Sequence, residues 1–177
     1  MVRTIALLRG VNVGGRHRLP MADLRALLEG LGYQGVRTVL QSGNAVFDAP
    51  GDADCAAAIT AAIADRFGLT VPVVTRTVDQ LRAVAAGHRF AARASDDRQL
   101  HVYFLADLPD ARAVAALDPD RSPPDRFEVV GREVHLFCPR GLARTTLTNA
   151  WFDRQLGTVS TGRNWRTIGR LLAMAEG

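Results

Sequence analysis

The chain reads as an α+β protein made of two tandem ferredoxin-like (βαββαβ) plaits, the second incomplete or irregular, with a C-terminal helix. Three observations predict this. Apolar strand-like runs and amphipathic helical stretches alternate as β-α-β-β-α-β through the first half. The order β-α-β-β-α recurs in the second half, and 177 residues at 47% apolar and 23% charged suit one large domain or two small ones. The change of unit falls near residues 90 to 98, which gives a first domain over 1–92 and a second over 93–177.

The elements follow in order. Residues Arg3 to Arg9 form a strand that is apolar on both faces, Ile5 and Leu7 against Ala6 and Leu8, so both sides should be covered. Pro20 suits the first turn of a helix carrying Leu24, Leu27, Leu28 and Leu31 at spacings of three and four, and Gly32 stops it. Val36 to Gln41 and Asn44 to Asp48 are strands joined by a tight turn at Ser42-Gly43. Asp52 or Asp54 caps a helix with Ile59, Ile63 and Phe67 on one stripe, which Gly68 ends. Leu69 to Arg76 is the fourth strand, and Val78 to Ala86 a helix.

After a polar connector over Ala92 to Arg98 comes a strand from Gln99 to Leu105 and a short helix from Asp110 to Leu117. Arg126 to Val130 and Glu133 to Phe137 form a hairpin about Gly131-Arg132. A helix from Thr148 to Leu156, an extended stretch near Val159 to Thr161 and a last helix from Asn164 to Ala175 complete the chain.

Charge is unevenly spread. All 22 Lys+Arg residues are arginine, a pattern that suggests coding bias and weakens any argument from arginine identity at one position. Position is more telling: residues 1–47 and 138–177 each carry a net +4, and 48–137 a net −4. That asymmetry fits an anionic partner, and it also fits composition bias alone. Cys55 and Cys138 stand apart, with no Cys-x-x-Cys pair, which argues against a disulfide framework or a zinc site. The first residues offer neither a secretory signal nor a spanning helix, so the expected setting is the cytoplasm, with no membrane partner.

The candidate site lies at Arg9-Gly10-Val11-Asn12-Val13-Gly14-Gly15. Three glycines, an asparagine and an arginine in seven residues make a loop able to turn through positive φ and expose backbone N–H groups. In a plait, the loop after strand one and the turn between strands two and three share one end of the sheet. Gln41, Ser42, Gly43 and Asn44 should therefore meet Arg9, Gly10, Asn12, Gly14 and Gly15, with Gly68-Leu69-Thr70 joining them. Such a donor-rich set recognises oxygen anions or nucleobase edges. The alternative is two tight turns whose polar side chains satisfy the loop backbone.

Neither nucleotide fingerprint is present: the loop is not G-x-G-x-x-G, and no Gly-Lys-Ser/Thr follows it. His17 lies between two arginines and reads as an exposed loop residue. His88, His101 and His135 have no second histidine at metal-ligand spacing, so no metal site is expected. Ser42 lacks the strained elbow of a serine nucleophile.

A second notable stretch is Leu147-Thr148-Asn149-Ala150-Trp151-Phe152, followed by Thr161-Gly162-Arg163-Asn164-Trp165. Helix capping and core packing account for most of it. Arg163, Asn164 and Trp165 also offer a cation, an amide and a stacking face that would complete a nucleotide site.

The R-G-x-N-V-G-G opening, the L-x-x-L-G-Y…V-x-T-x-x-Q-S-G-N-x-V-F continuation and the L-T-N-A…T-x-R-N-W-x-T close resemble the bacterial family called domain of unknown function 1697. The resemblance spans essentially the whole chain and implies a pair of ferredoxin-like plaits, with no established activity, substrate or cofactor. Thr146 stands where that pattern often has a basic residue, and Gly162 where a second threonine is usual.

Three readings of function follow. The first is a binding module for an anionic ligand, whether a phosphorylated small molecule, a nucleotide or single-stranded nucleic acid. The second is an enzyme without metal or organic cofactor, acting on a phosphorylated or carboxylated small molecule, in which Arg9 and loop N–H groups stabilise negative charge and His17 or Ser42 moves protons. The third makes the glycine loops a structural or subunit contact.

Overall fold

A computed structural model describes residues 1–177, which divide into two compact units: Met1–Arg82 with Arg170–Gly177, and Ala83–Gly169. The first unit holds β1 (Val2–Leu8), α1 (Met21–Gly30), β2 (Gln34–Val39), β3 (Asn44–Ala49), α2 (Cys55–Phe67) and β4 (Val73–Thr77), and α3 (Val78–Ala85) follows. Its sheet runs β2-β3-β1-β4, every neighbour antiparallel, as a split βαβ plait requires. Ile5, Ala6, Leu7 and Leu8 are all fully buried, so β1 is covered on both faces as its apolar run predicts.

Helices α1 and α2 pack Leu24, Leu28, Ile59 and Ile63 onto Leu8 and Phe47. Asp54 caps α2 by accepting from the Ala57 amide at 3.0 Å, and Gly68 ends it in the left-handed region at φ 65°. Two details depart from the sequence reading. Leu31 lies just past α1 and is exposed, and β4 begins at Val73, because Pro72 has no N–H to give to a ladder.

The second unit repeats the order with β5 (Leu100–Leu105), α4 (Ala111–Ala115), β6 (Arg126–Val130), β7 (Glu133–Phe137), α5 (Asn149–Leu156) and β8 (Ser160–Asn164). The last helix is α6 (Trp165–Glu176). The short extended stretch read from the sequence is thus a full edge strand, and the sheet runs β6-β7-β5-β8. Tyr103, Phe152, Trp151, Leu136 and Leu147 form the core between this sheet and its helices. Cys55 and Cys138 are both buried free thiols.

The two plaits match bond for bond at one end. The Leu8 amide donates to Gly43 O at 2.9 Å and the Arg9 amide to Pro72 O at 2.9 Å. In the second unit, Leu105 donates to Arg132 O and Ala106 to Val159 O, each at 2.8 Å. The edge strands match too. Arg76 pairs with Ile5 and Arg163 with Val102, both arginines are buried, and each donates to the carbonyl of the residue before it, at 2.8 and 2.7 Å.

Candidate functional site

The loop from Arg9 to Pro20 leaves the sheet at the end of β1 and folds back on itself as a miniature hairpin. Asn12 N–H donates to His17 O and Arg16 N–H to Val13 O, both at 3.1 Å, and Val13 bridges Arg16. Gly14 and Gly15 are the two tip residues, at φ 59° and 71°. Two successive positive φ values are the signature of the type I′ turn that a right-twisted two-residue hairpin requires. Arg16, His17 and Arg18 are exposed beside the tip, and Val13 leaves 62% of its surface in water.

The β2–β3 connection stands against the base of this loop. It is a four-residue turn, Leu40 to Gly43, and not the two-residue turn at Ser42-Gly43 that the sequence suggests, because β2 stops at Val39 opposite Asn44. Leu40 takes a left-handed φ of 59°. Gly43 adopts φ 83° where a Cβ would collide with Val11 Cγ2 and lie 2.8 Å from Leu8 Cβ, so the close approach of turn and loop depends on its bare backbone.

One part of the expected convergence is present: Asn12 Nδ2 donates to Gln41 O at 2.6 Å. The same amide donates to Leu19 O at 2.8 Å, and its Oδ1 accepts from Leu19 N at 2.9 Å. Asn44 is fully buried and spends both amide protons, on Val39 O at 3.0 Å and Ser42 Oγ at 3.1 Å. An amide nitrogen has two protons to give, so both asparagines hold the loops together and keep no donor for a ligand. Gln41 and Ser42 are exposed in the turn, Gly10, Gly14 and Gly15 are exposed in the loop, and Arg9 is half-buried at its base.

The C-terminal trio sits in the second unit. Arg163 is buried on β8, donates to Thr161 Oγ1 at 2.9 Å and Gly162 O at 2.7 Å, and burial pulls its guanidinium down to about 10. Asn164 Oδ1 caps α6 by accepting from Thr167 N at 2.8 Å, and the half-buried Trp165 ring meets His88 edge-on at 5.2 Å. Each has a structural task within its own unit.

Histidines that lie far apart in sequence meet there. His88 and His135 lie 4.8 Å apart between ring centroids, and burial lowers the pKa of both. His88 Nδ1 accepts from Phe90 N at 3.1 Å, which leaves Nε2 to donate to His101 O at 2.9 Å. No group of three or more His, Cys, Asp or Glu side chains is arranged to hold a metal ion, and no helix is long and apolar enough to cross a membrane.

Residues 1–135 match the family model described as a protein of unknown function, DUF1697. The chain belongs to the DUF1697 family. Over 98% of both chains it resembles the solved structure of the conserved bacterial protein SP0830 from Streptococcus pneumoniae, at 20% identity and a TM-score of 0.72. That likeness shows that the DUF1697 protein shares its fold with the pneumococcal one. No curated protein matches the chain.

Arg16 and Arg18 join the candidate residues only through the hairpin that exposes them. The signal was present, since a Gly-Gly pair between Val13 and Arg16 is a two-residue hairpin, and a hairpin lifts its flanking cations into solvent. In this DUF1697 chain the loop end therefore combines exposed cations, a hydroxyl, a free-standing amide side chain and glycine N–H groups.

Proposed function

We propose that the protein is a binding module that takes an anionic ligand on the loop end of its first plait, the ligand being a phosphorylated small molecule, a nucleotide or single-stranded nucleic acid. The contrast between the two units carries this reading. The second plait makes the same two closing hydrogen bonds from Leu105 and Ala106, yet connects β5 to α4 through only Ala106 to Asp110, with Asp107 and Asp110 in place of arginines. The plait itself therefore has no need of a long basic glycine loop.

Backbone strain supports the same location. Asn12, His17 and Leu40, the three non-glycine residues at positive φ, all lie in these two connections. Left-handed backbone costs a β-carbon residue such as leucine roughly 1–2 kcal/mol, and strain of this kind gathers at functional sites. In this reading Arg16 and Arg18 supply charge, the Gly14 and Gly15 amides and the Ser42 hydroxyl donate to oxygen, and Gln41 adds an amide. Asn12 and Asn44 hold the frame, and Arg9 stands at its base.

The test is a thermal-shift series with nucleotides, sugar phosphates and short oligonucleotides at two salt concentrations, since a ligand that binds only the folded state raises the Tm. An anion that stabilises the wild type but not an Arg16→Ala/Arg18→Ala variant supports the proposal. An oligonucleotide response that collapses with salt assigns the ligand to nucleic acid. An equal response in the variant overturns it.

A further inference from the structure

The second unit holds a cavity of about 50 Å³ lined by Ser122, Pro124, Asp125, Arg140, Arg144 and Thr145. It lies where the chain enters β6 and leaves β7, remote in sequence from the glycine loop. Asp125 is only 6% exposed. Its carboxylate accepts the Ser122 hydroxyl at 2.9 Å, while Ser122 Oγ itself accepts from Thr146 N at 3.0 Å. Nearby Arg126 spends its guanidinium on the Asp125 carbonyl oxygen at 3.2 Å and on Asp120 at 3.6 Å. The Asp125 carboxylate thus has a hydroxyl partner and no counter-ion within ion-pair distance.

Arg140 and Arg144 are exposed on the lining of the same cavity, and neither forms an ion pair with Asp125 or any other carboxylate. One small hollow therefore presents a buried carboxylate side chain beside two uncommitted guanidinium groups. A carboxylate shielded from water with only a hydroxyl partner favours a cation placed beside it. Two guanidiniums offer forked donors to a carboxylate. A simple anion would face Asp125, and a simple cation would face the arginines. A molecule with both charges a few ångströms apart satisfies each.

We propose that this cavity binds a small zwitterion of the α-amino-acid type, its ammonium on Asp125 with the Ser122 and Thr145 hydroxyls beside it, its carboxylate on Arg140 and Arg144. The volume holds an ammonium-bearing head, and the exposure of Arg140 and Arg144 leaves the side chain of the ligand a route to solvent. This site is independent of the loop end of the first plait, and its test uses ligands that carry no phosphate.

The experiment is calorimetric titration of the full chain with glycine and a panel of L-α-amino acids, beside methylamine and acetate as single-charge controls. The proposal expects saturable binding of at least one amino acid with neither control binding comparably. Asp125→Asn, which keeps an acceptor for Ser122, weakens that binding about tenfold or more, as does Arg140→Gln/Arg144→Gln on exposed side chains that the fold does not need. Binding of acetate equal to that of the amino acids, unchanged affinity in the arginine variant, or no binding by any member of the panel overturns it.

Discussion

Asn12 reaches across 29 positions of sequence to donate 2.6 Å to the carbonyl oxygen of Gln41. Through that bond and its pair with Leu19, one amide sets the distance between the glycine loop and the β2–β3 turn. Asn12→Ala removes all three bonds and strands the part-buried Leu19 N–H and C=O, so it should lower stability by about 1–3 kcal/mol in chemical denaturation. It should also raise hydrogen-exchange rates in residues 9–20 and 40–43 ahead of the rest of the sheet. A loss spread evenly over the unit would remove Asn12 from the role of tie.

Gly43 should tolerate no side chain. Its φ of 83° disfavours any L residue, and a Cβ would press on Val11 and on Leu8 Cβ at 2.8 Å, so Gly43→Ala carries both a backbone and an overpacking cost. Together these predict about 2–4 kcal/mol of destabilisation. Val11→Ala in the same chain should recover only the Val11 share of the steric part, since Leu8 Cβ stays in place. Full recovery would mean that the conformational cost is absent.

Gly162 and Tyr103 should be energetically coupled. A Cβ on Gly162 would stand 2.7 Å from the Tyr103 ring, whose hydroxyl is anchored on Leu147 O at 2.9 Å. The flat ring thus occupies the space that a side chain at 162 would fill. Gly162→Ala should cost about 1–3 kcal/mol alone and clearly less beside Tyr103→Leu. Additive losses in a double-mutant cycle would contradict the coupling.

The second unit should be acid-labile. Burial, then the charges of His88 and Arg89, push His135 down to about 4 from the ordinary 6.5, and burial lowers His88 and His101 as well. A histidine with a depressed folded pKa binds more protons when unfolded, so its contribution is intact above about 6.5 and is lost as the pH falls toward about 4. His135 alone should contribute about 3 kcal/mol to that decline. Denaturation midpoints measured between pH 7 and 4 should fall less for His135→Gln than for the wild type. Parallel slopes would rule His135 out as the cause.

Much of the fold is legible in the residues because local signals agree with one another. The run Ile5 to Leu8 reads as a doubly covered strand and is one, and Asp54 and Gly68 bracket α2 where capping chemistry puts them. The loop end was legible as a meeting place because plait topology alone puts β1's exit beside the β2–β3 turn. Its internal division of labour was not. Whether an asparagine donates to a ligand or to its own backbone depends on carbonyls such as Leu19 O, Gln41 O and Val39 O, whose directions only the folded chain sets. The same limit hid Leu40's left-handed turn, and it hid the cavity that gathers Ser122, Asp125, Arg140 and Arg144 from two separate segments.

The most direct measurement is a ¹H–¹⁵N titration of the protein with the anion that gives the largest thermal shift, followed at its glycine amides. The account predicts saturable shifts at Gly10, Gly14, Gly15 and Gly43, while Gly131, in the equivalent turn of the second plait, stays in place. Shifts centred on Gly131 and its neighbours, or none at the four loop-end glycines under saturating ligand, would contradict it.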